Sequence, residues 1–139
     1  MELKLTAAQV QDAIRGGLPS ADKAVVEEVR PGYARVRLPF NSKTIRPGNR
    51  LSGPSLFNAA DLAMYALVLA HIGLELMAVT ADLNIRFLYG AKPADIIAEA
   101  RLLRLGKRLA VMEVALFSAG DPQMVAHVTG SYALPVKVR

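Results

Sequence analysis

The sequence predicts one α+β domain in which antiparallel strands pack against a single long apolar helix. A chain of 139 residues is long enough for one self-sufficient core. Residues Leu62–Ala70 carry no charge and are hydrophobic all round, which predicts a helix covered on every side. Runs with strand character flank this stretch, so the predicted order is a hairpin, the helix and an antiparallel series of four strands.

Composition narrows the classes of function. Hydrophobic residues make up 53% of the chain and charged residues 21%, which favours an oligomer with a large core or an apolar surface. There is no cysteine, which excludes disulfides, cysteine nucleophiles and thiolate metal sites. The net charge of +5 favours an anionic partner. We expect a phosphate-bearing small molecule and no nucleic acid, because the aromatic residues are few and mostly embedded in apolar runs.

The N-terminal segment and the long apolar stretch indicate where in the cell the protein is expected. Residues Met1–Val10 lack the uninterrupted apolar core of a signal peptide and carry an acid at the second position, so we expect a cytoplasmic protein. Leu62–Val79 approaches the length of a membrane span, but Asp61, His71 and Glu75 crowd it. We therefore expect a core helix and no membrane.

The first third of the chain predicts a short cover and a hairpin. Thr6–Arg15 has the pattern of a short amphipathic helix with Thr6 as its cap. Ala24–Arg30 and Tyr33–Leu38 are β-rich runs separated by Pro31-Gly32, a strong turn signal. Strict alternation along the second run predicts a sheet with one covered face. A basic loop, Pro39–Leu51, leads into the helix.

The central helix has clear start and stop signals. Pro54 suits its first position, and Ser52 or Gly53 can cap it. The pattern carries it to about Ile72. We expect the histidine at its end, His71, to interact with the helix dipole, since it lies nearly three turns from Asp61.

Four further runs have strand character. They are Ala78–Tyr89, Ala94–Leu105, Lys107–Ser118 and Met124–Leu134. Period-two alternation in the first run predicts one face with Leu83, Ile85, Phe87 and Tyr89 and another with Thr80, Asp82, Asn84 and Arg86. In the last run, Gly130 shares a face with Tyr132, and a glycine within a strand often allows close approach of something large. The buried helix is the obvious candidate.

Asp61 is the chemically unusual residue, because it is a lone carboxylate at the start of a buried helix. Such a group must be hydrogen-bonded, paired or neutralised, and groups of this kind concentrate at functional sites. Asn58 and Tyr65 lie on the same helix face. A partly solvated first turn, or a bond to a backbone amide, would also account for it. The unpaired amides at Ser52-Gly53 are suited to an anion, although every helix has such amides.

Two segments carry a resemblance to a known family. Leu51–Met64 and Ala78–Leu88 resemble the hotdog acyl-CoA thioesterases, specifically the phenylacetyl-CoA thioesterase-like branch, and the resemblance extends over about Val25–Pro135. Many members carry His-Gly-Gly before the helix and Ala-Asp-x-Ala within it. Asp61 occupies the carboxylate position, while Ser52-Gly53-Pro54 replaces the first element.

The resemblance implies a curved antiparallel sheet wrapped around the long helix, in a single domain spanning residues 1–139. It also implies a homodimer, with two dimers expected to form a homotetramer, that hydrolyses acyl-CoA without a cofactor or metal. Asp61 would act as general base or nucleophile, and the Gly53 amide of the facing subunit would stabilise the oxyanion. Asn58 and Thr80 would position the water or the carboxylate; an ordinary strand threonine accounts for Thr80 equally well.

The resemblance also implies substrate contacts. Ser52 and Pro54 would contact the substrate at the helix start. The basic residues of a hairpin turn would meet the phosphates of CoA, with a solvated basic turn as the alternative: Arg104, Lys107 and Arg108.

Three other functions remain in view. A non-catalytic acyl-CoA binding or regulatory module is favoured by the Ser-Gly-Pro replacement. A hotdog hydratase or dehydratase would need a histidine at the mouth of the helix, and His71 and His127 are distant from that point in sequence. A nucleic-acid binder ranks lowest.

Overall fold

The structure is a computed structural model that describes residues 1–136. Two helices and eight strands follow one another, with short 3₁₀ turns at Pro19–Ala21 and Ser42–Thr44. In chain order they are α1 (Ala7–Gly17), β1 (Val25–Arg30), β2 (Tyr33–Leu38), β3 (Ile45–Arg46), β4 (Arg50–Leu51), α2 (Gly53–Ile72), β5 (Val79–Phe87), β6 (Ile96–Leu105), β7 (Leu109–Ser118) and β8 (Met124–Ala133).

Six of these strands form one antiparallel sheet in the order β1-β2-β6-β7-β8-β5. The predicted fold class, a sheet wrapped around one central helix, is confirmed. The four strands after α2 do not pair in chain order, because β6 joins β2 and leaves β5 paired only with β8 at the edge. The predicted loop 39–51 contains a two-stranded pairing of β3 with β4.

Helix α2 forms the core of the domain. It begins at Gly53 with Ser52 as the cap, one residue before the predicted start. Every residue from Leu62 to His71 is buried. The helix is long and apolar enough to cross a membrane, but 72% of its apolar window is buried inside the protomer. Its hydrophobicity is thus satisfied by the sheet, as in the core helix of a globular domain.

Gly130 allows α2 to approach β8 closely, as predicted. A Cβ atom at this position would lie 2.6 Å from Cε of Met64 and 2.8 Å from the main-chain oxygen of Asp82. Both distances are below van der Waals contact, so only glycine fits without movement of the helix or of β5.

Helix α1 covers one end of the core. Thr6 and Gln9 form a reciprocal capping box at its start. Val10 and Ile14 are buried beneath it. The residues before α1 are tied to α2, because the Lys4 amide donates to the carbonyl of Ala70 over 2.7 Å. The predicted accessory cover is therefore confirmed as a packed part of the domain.

A β-bulge in β5 corrects one sequence prediction. Thr80 pairs with Tyr132 and Asp82 pairs with Ser131, so Ala81 is an extra residue on this strand. The insertion reverses the alternation at this point, and Thr80 faces α2 together with Leu83 instead of sharing the outer face with Asp82. Strict period-two alternation assigned Thr80 to the wrong face.

The contact at Gly130 leads to a stability prediction. We expect Gly130→Ala to lower the free energy of unfolding by about 1–3 kcal/mol, because the added carbon overpacks the core against a backbone atom. The measurement is urea unfolding followed by circular dichroism. The control is Gly16→Ala in α1, where an added Cβ has nothing within 4 Å. Equal stability of the two variants would contradict the packing argument.

Candidate active site

Asp61 is held through one of its two carboxylate oxygens. The Thr80 hydroxyl donates to Oδ1 over 2.6 Å, and the Tyr132 hydroxyl lies 2.8 Å from the same atom. Within residues 1–136, Oδ2 accepts no hydrogen bond and no cation pairs with the carboxylate. The side chain is only half-buried, and the described part of the chain contains no fully buried polar atom without a partner. Oδ2 is therefore accessible.

Tyr132 approaches Asp61 from β8. Its side chain is only 3% exposed, and its ring stacks on that of Tyr65 with centroids 5.9 Å apart. Burial, followed by the negative charge of Asp61, raises the pKa of Tyr132 well above its ordinary value. The phenol therefore stays protonated and acts as a hydrogen-bond donor. The Tyr65 hydroxyl bonds elsewhere, to the main-chain oxygen of Leu76 at 3.0 Å.

The first turn of α2 offers one free amide. Pro54 has no N–H, the Ser55 amide donates to Oγ of Ser52, and the Leu56 amide donates to the Ser52 carbonyl. Among residues 1–136 the Gly53 amide has no acceptor. A free N–H at the positive end of a helix dipole is suited to a developing oxyanion.

Asp61 and the Gly53 amide are far apart within one protomer. Asp61 follows Gly53 by eight positions on α2, which corresponds to about 12 Å along the helix axis. A single substrate carbonyl cannot contact both groups of the same chain, since hydrogen-bond distances are near 3 Å. Within one protomer, the carboxylate and the free amide therefore cannot act on the same bond.

A cavity of about 510 Å³ lies beside Gly53. Phe87 and Tyr89 contribute aromatic walls, and Arg46 and Arg50 contribute two guanidinium groups. The Phe87 ring packs so closely that a Cβ at Gly53 would lie 3.2 Å from its Cζ. The sequence indicated a basic loop before the helix without indicating that Arg46 and Arg50 share a cavity with Gly53.

Asn58 does not join Asp61 in the protomer. It is exposed and lines a different cavity, of about 650 Å³, together with Ser55 and the loop residues Asn41–Thr44. No hydrogen bond connects Asn58 to the Asp61 carboxylate, whose partners are Thr80 and Tyr132. The predicted role of Asn58 stays a prediction.

The three basic residues assigned to CoA phosphates lie at the β6–β7 hairpin. Lys107 and Arg108 line a cavity of about 500 Å³ with His71 and Ile72, at the C-terminal end of α2. Arg104 is exposed at the end of β6. Within one protomer this cluster is therefore at the opposite end of the helix from the Gly53 amide.

The two histidines have structural environments. Nδ1 of His71 lies 2.9 Å from the carbonyl of Leu67, and Nε2 accepts from the Gly32 amide over 3.0 Å. These two bonds tie α2 to the β1–β2 turn through His71. The predicted interaction of His71 with the helix dipole stays a prediction. His127 lies on the outer sheet face, 3.5 Å from Glu113. In the described part of the chain no cluster of His, Cys, Asp or Glu could hold a metal ion.

Sequence reasoning missed Tyr132 as a partner of Asp61, although a signal was present. Tyr132 shares the inner face of the last strand with Gly130, and that face was predicted to meet the helix. The Tyr132 phenol was therefore a candidate hydrogen-bond donor to the carboxylate of Asp61, which lies where the buried part of the helix begins. The distance of 71 residues between Tyr132 and Asp61 concealed the pair.

Comparison with known proteins identifies the family. The model of the thioesterase superfamily matches residues 48–125, which is more than half of the chain. A protein of Saccharolobus solfataricus, provisionally named an esterase, is 33% identical over 78% of this chain and 71% of its own length.

Solved structures agree with the family model. A protein of Silicibacter sp. TM1040, provisionally named a thioesterase, is 36% identical and superimposes with a TM-score of 0.90 over 98% of this chain and 96% of that one. The Escherichia coli PaaI protein of the phenylacetic acid degradation operon shares the fold, with a TM-score of 0.72 and 23% identity over 91% of this chain and 96% of that one. The chain therefore belongs to the thioesterase superfamily of hotdog-fold proteins.

Proposed function

We propose that the protein hydrolyses acyl-CoA thioesters at a site shared between two subunits. The observation that carries the proposal is the division of the site in one protomer: a carboxylate with one bound and one accessible oxygen, and a free amide about 12 Å away on the same helix. Thioester hydrolysis is the reaction suggested by the family and by the Silicibacter relative. Acyl-CoA is the substrate class that the resemblance implies, and the positive net charge favours an anionic partner in general.

The mechanism follows from the two groups. Asp61 of one subunit removes a proton from water, and the resulting hydroxide adds to the thioester carbonyl. The Gly53 amide of the facing subunit stabilises the oxyanion of the tetrahedral intermediate. When the intermediate collapses, the carbon–sulfur bond breaks and the CoA thiolate takes the proton from Asp61. Direct attack by the carboxylate, followed by hydrolysis of the acyl-enzyme anhydride, is the nucleophilic alternative.

The edge of the sheet supports a homodimer. Exposed apolar side chains concentrate on β5 and on the segments that flank it, including Met77 at 78% and Tyr89 at 61% exposure. An exposed apolar edge strand is a template for pairing with a second copy. Because Thr80 of β5 bonds Asp61, pairing there would bring a partner's surface next to the carboxylate. Two such dimers would form the homotetramer that the resemblance implies.

Two basic surfaces are candidate binding sites for the CoA phosphates. The first consists of Arg104, Lys107 and Arg108, as the resemblance implies. Arg46 and Arg50 lie beside the Gly53 amide, and their recorded partners are main-chain carbonyls, with no carboxylate partner among residues 1–136. Uncompensated guanidinium groups are well suited to phosphate.

Non-catalytic acyl-CoA binding is the second candidate function. It is favoured by Ser52, which stands where the resemblance implies a histidine and whose hydroxyl lies 2.8 Å from that of Ser55. Binding of acyl-CoA without hydrolysis in calorimetry and thiol-release assays would support it.

The shared site predicts complementation between two inactive variants. Asp61→Asn removes the base, and Gly53→Pro removes the amide at a position where the extended backbone of Ser52 accommodates a following proline. We expect each variant alone to lose activity by at least about a hundredfold. After denaturation and refolding together, random pairing restores one intact site in half of the dimers, about one quarter of wild-type activity.

The control for complementation is Gly53→Ala, which keeps the amide while adding the Cβ that contacts Phe87. Refolded mixtures of Asp61→Asn with Gly53→Ala show how much activity is lost through crowding at the helix start when the amide is kept. Any further loss in mixtures with Gly53→Pro is then due to the missing amide. Failure of the Asp61→Asn and Gly53→Pro mixture to regain activity, with both variants dimeric, would contradict a site made by two subunits.

Substitution of each basic surface in turn tests which of the two binds the CoA phosphates. If Arg46 and Arg50 bind the phosphates, exchange of both for Gln raises KM for acyl-CoA by about tenfold, while Lys107→Gln with Arg108→Gln has little effect. The reverse pattern would establish the hairpin cluster instead. An acyl thioester of N-acetylcysteamine, which lacks the nucleotide, should be insensitive to either pair and serves as the control.

A further inference from the structure

We infer that Tyr132 is a positioning residue of this reaction: together with Thr80 it fixes Asp61 through Oδ1 and so makes Oδ2 the atom that takes the proton or attacks. The inference rests on the proposed thioester hydrolysis. It adds a residue from the last strand, which the resemblance did not include, and it assigns different roles to the two carboxylate oxygens.

The two carboxylate oxygens of Asp61 differ in their hydrogen bonds. Thr80 and Tyr132 both reach Oδ1, at 2.6 and 2.8 Å. Two donors on one oxygen resist rotation of the carboxylate, because rotation would break charge-assisted bonds. Oδ2 has no donor among residues 1–136 and remains accessible. The unbonded oxygen keeps its lone pairs for the proton of water or for the carbonyl carbon.

Tyr132 is itself rigidly placed. It lies in β8 between two neighbouring strands, paired with Ala110 on β7 and with Thr80 on β5. Its ring is stacked on Tyr65 at an interplanar angle of 16°. Its hydroxyl also lies 3.2 Å from the main-chain oxygen of Asp61, so the phenol is aligned with both the backbone and the side chain of the residue that it positions.

A packing role for Tyr132 gives different expectations from a positioning role. Tyr132→Phe keeps the buried ring and its stack on Tyr65, and it removes only the hydroxyl. If Tyr132 serves packing alone, kcat and KM stay unchanged. If it positions Asp61, the variant loses one of the two bonds that hold the carboxylate.

The test measures kcat and KM of the protein and its variants with a panel of short, long and aryl acyl-CoA substrates. We expect Tyr132→Phe to lower kcat by about tenfold or more with little change in KM. Thr80→Val should show the same loss of kcat at an unchanged KM, since it removes the other donor to Oδ1.

Ser131→Ala is the matched control. It removes a hydroxyl that bonds a carboxylate on the same pair of strands, β8 and β5, but on the opposite sheet face. We expect its kcat and KM to equal those of the wild type. A wild-type kcat in Tyr132→Phe would overturn the inference while leaving the hydrolase intact. Absence of hydrolysis by the wild-type protein on every substrate would overturn the proposed function, and the inference with it.

Discussion

Enclosure of α2 by the sheet is the constraint on which the rest of the structure depends. A helix that is buried from Leu62 to His71 needs apolar neighbours on every side, because burial of apolar surface is the main favourable term in folding. The sheet provides them by curving around the helix, and Gly130 permits the closest approach. The polar side chains of α2 that are not buried all precede Leu62 in the sequence.

The enclosure also explains why the two polar side chains His71 and Asp61 of α2 differ in their hydrogen bonding. His71, near the C-terminal end, is buried and satisfied by two main-chain groups, which makes it structural. Asp61 lies where burial begins, and its carboxylate is satisfied on one oxygen only. Near a low-dielectric core, an unbonded oxygen on a charged group is costly unless it reaches water or a ligand. In the proposed reaction, the reactive oxygen therefore lies at the point where the core meets solvent.

The protomer shows features of an incomplete unit. The Gly53 amide is free at the start of α2, and Asp61 is on the same helix but too far away to act with it. The strand that holds Thr80 lies at an open edge with exposed apolar side chains. A second copy at this edge would cover the apolar surface and supply the missing half of the site. In this proposal, assembly and catalysis depend on the same strand.

The sequence by itself determined the fold class, the enclosed helix, the family and the location of Asp61 and Gly53, because these depend on local periodicity, capping residues and short motifs. The tertiary structure alone decided that Tyr132 bonds Asp61 and that Arg46 shares a cavity with Gly53. It also showed the bulge that turns Thr80, a residue expected at the site from the resemblance, toward the helix against the alternation of its strand. The physical reason is that a bulge and strand pairing are non-local. One inserted residue, Ala81, reverses the facing of Thr80, and no periodicity within β5 reveals which strand will lie beside it.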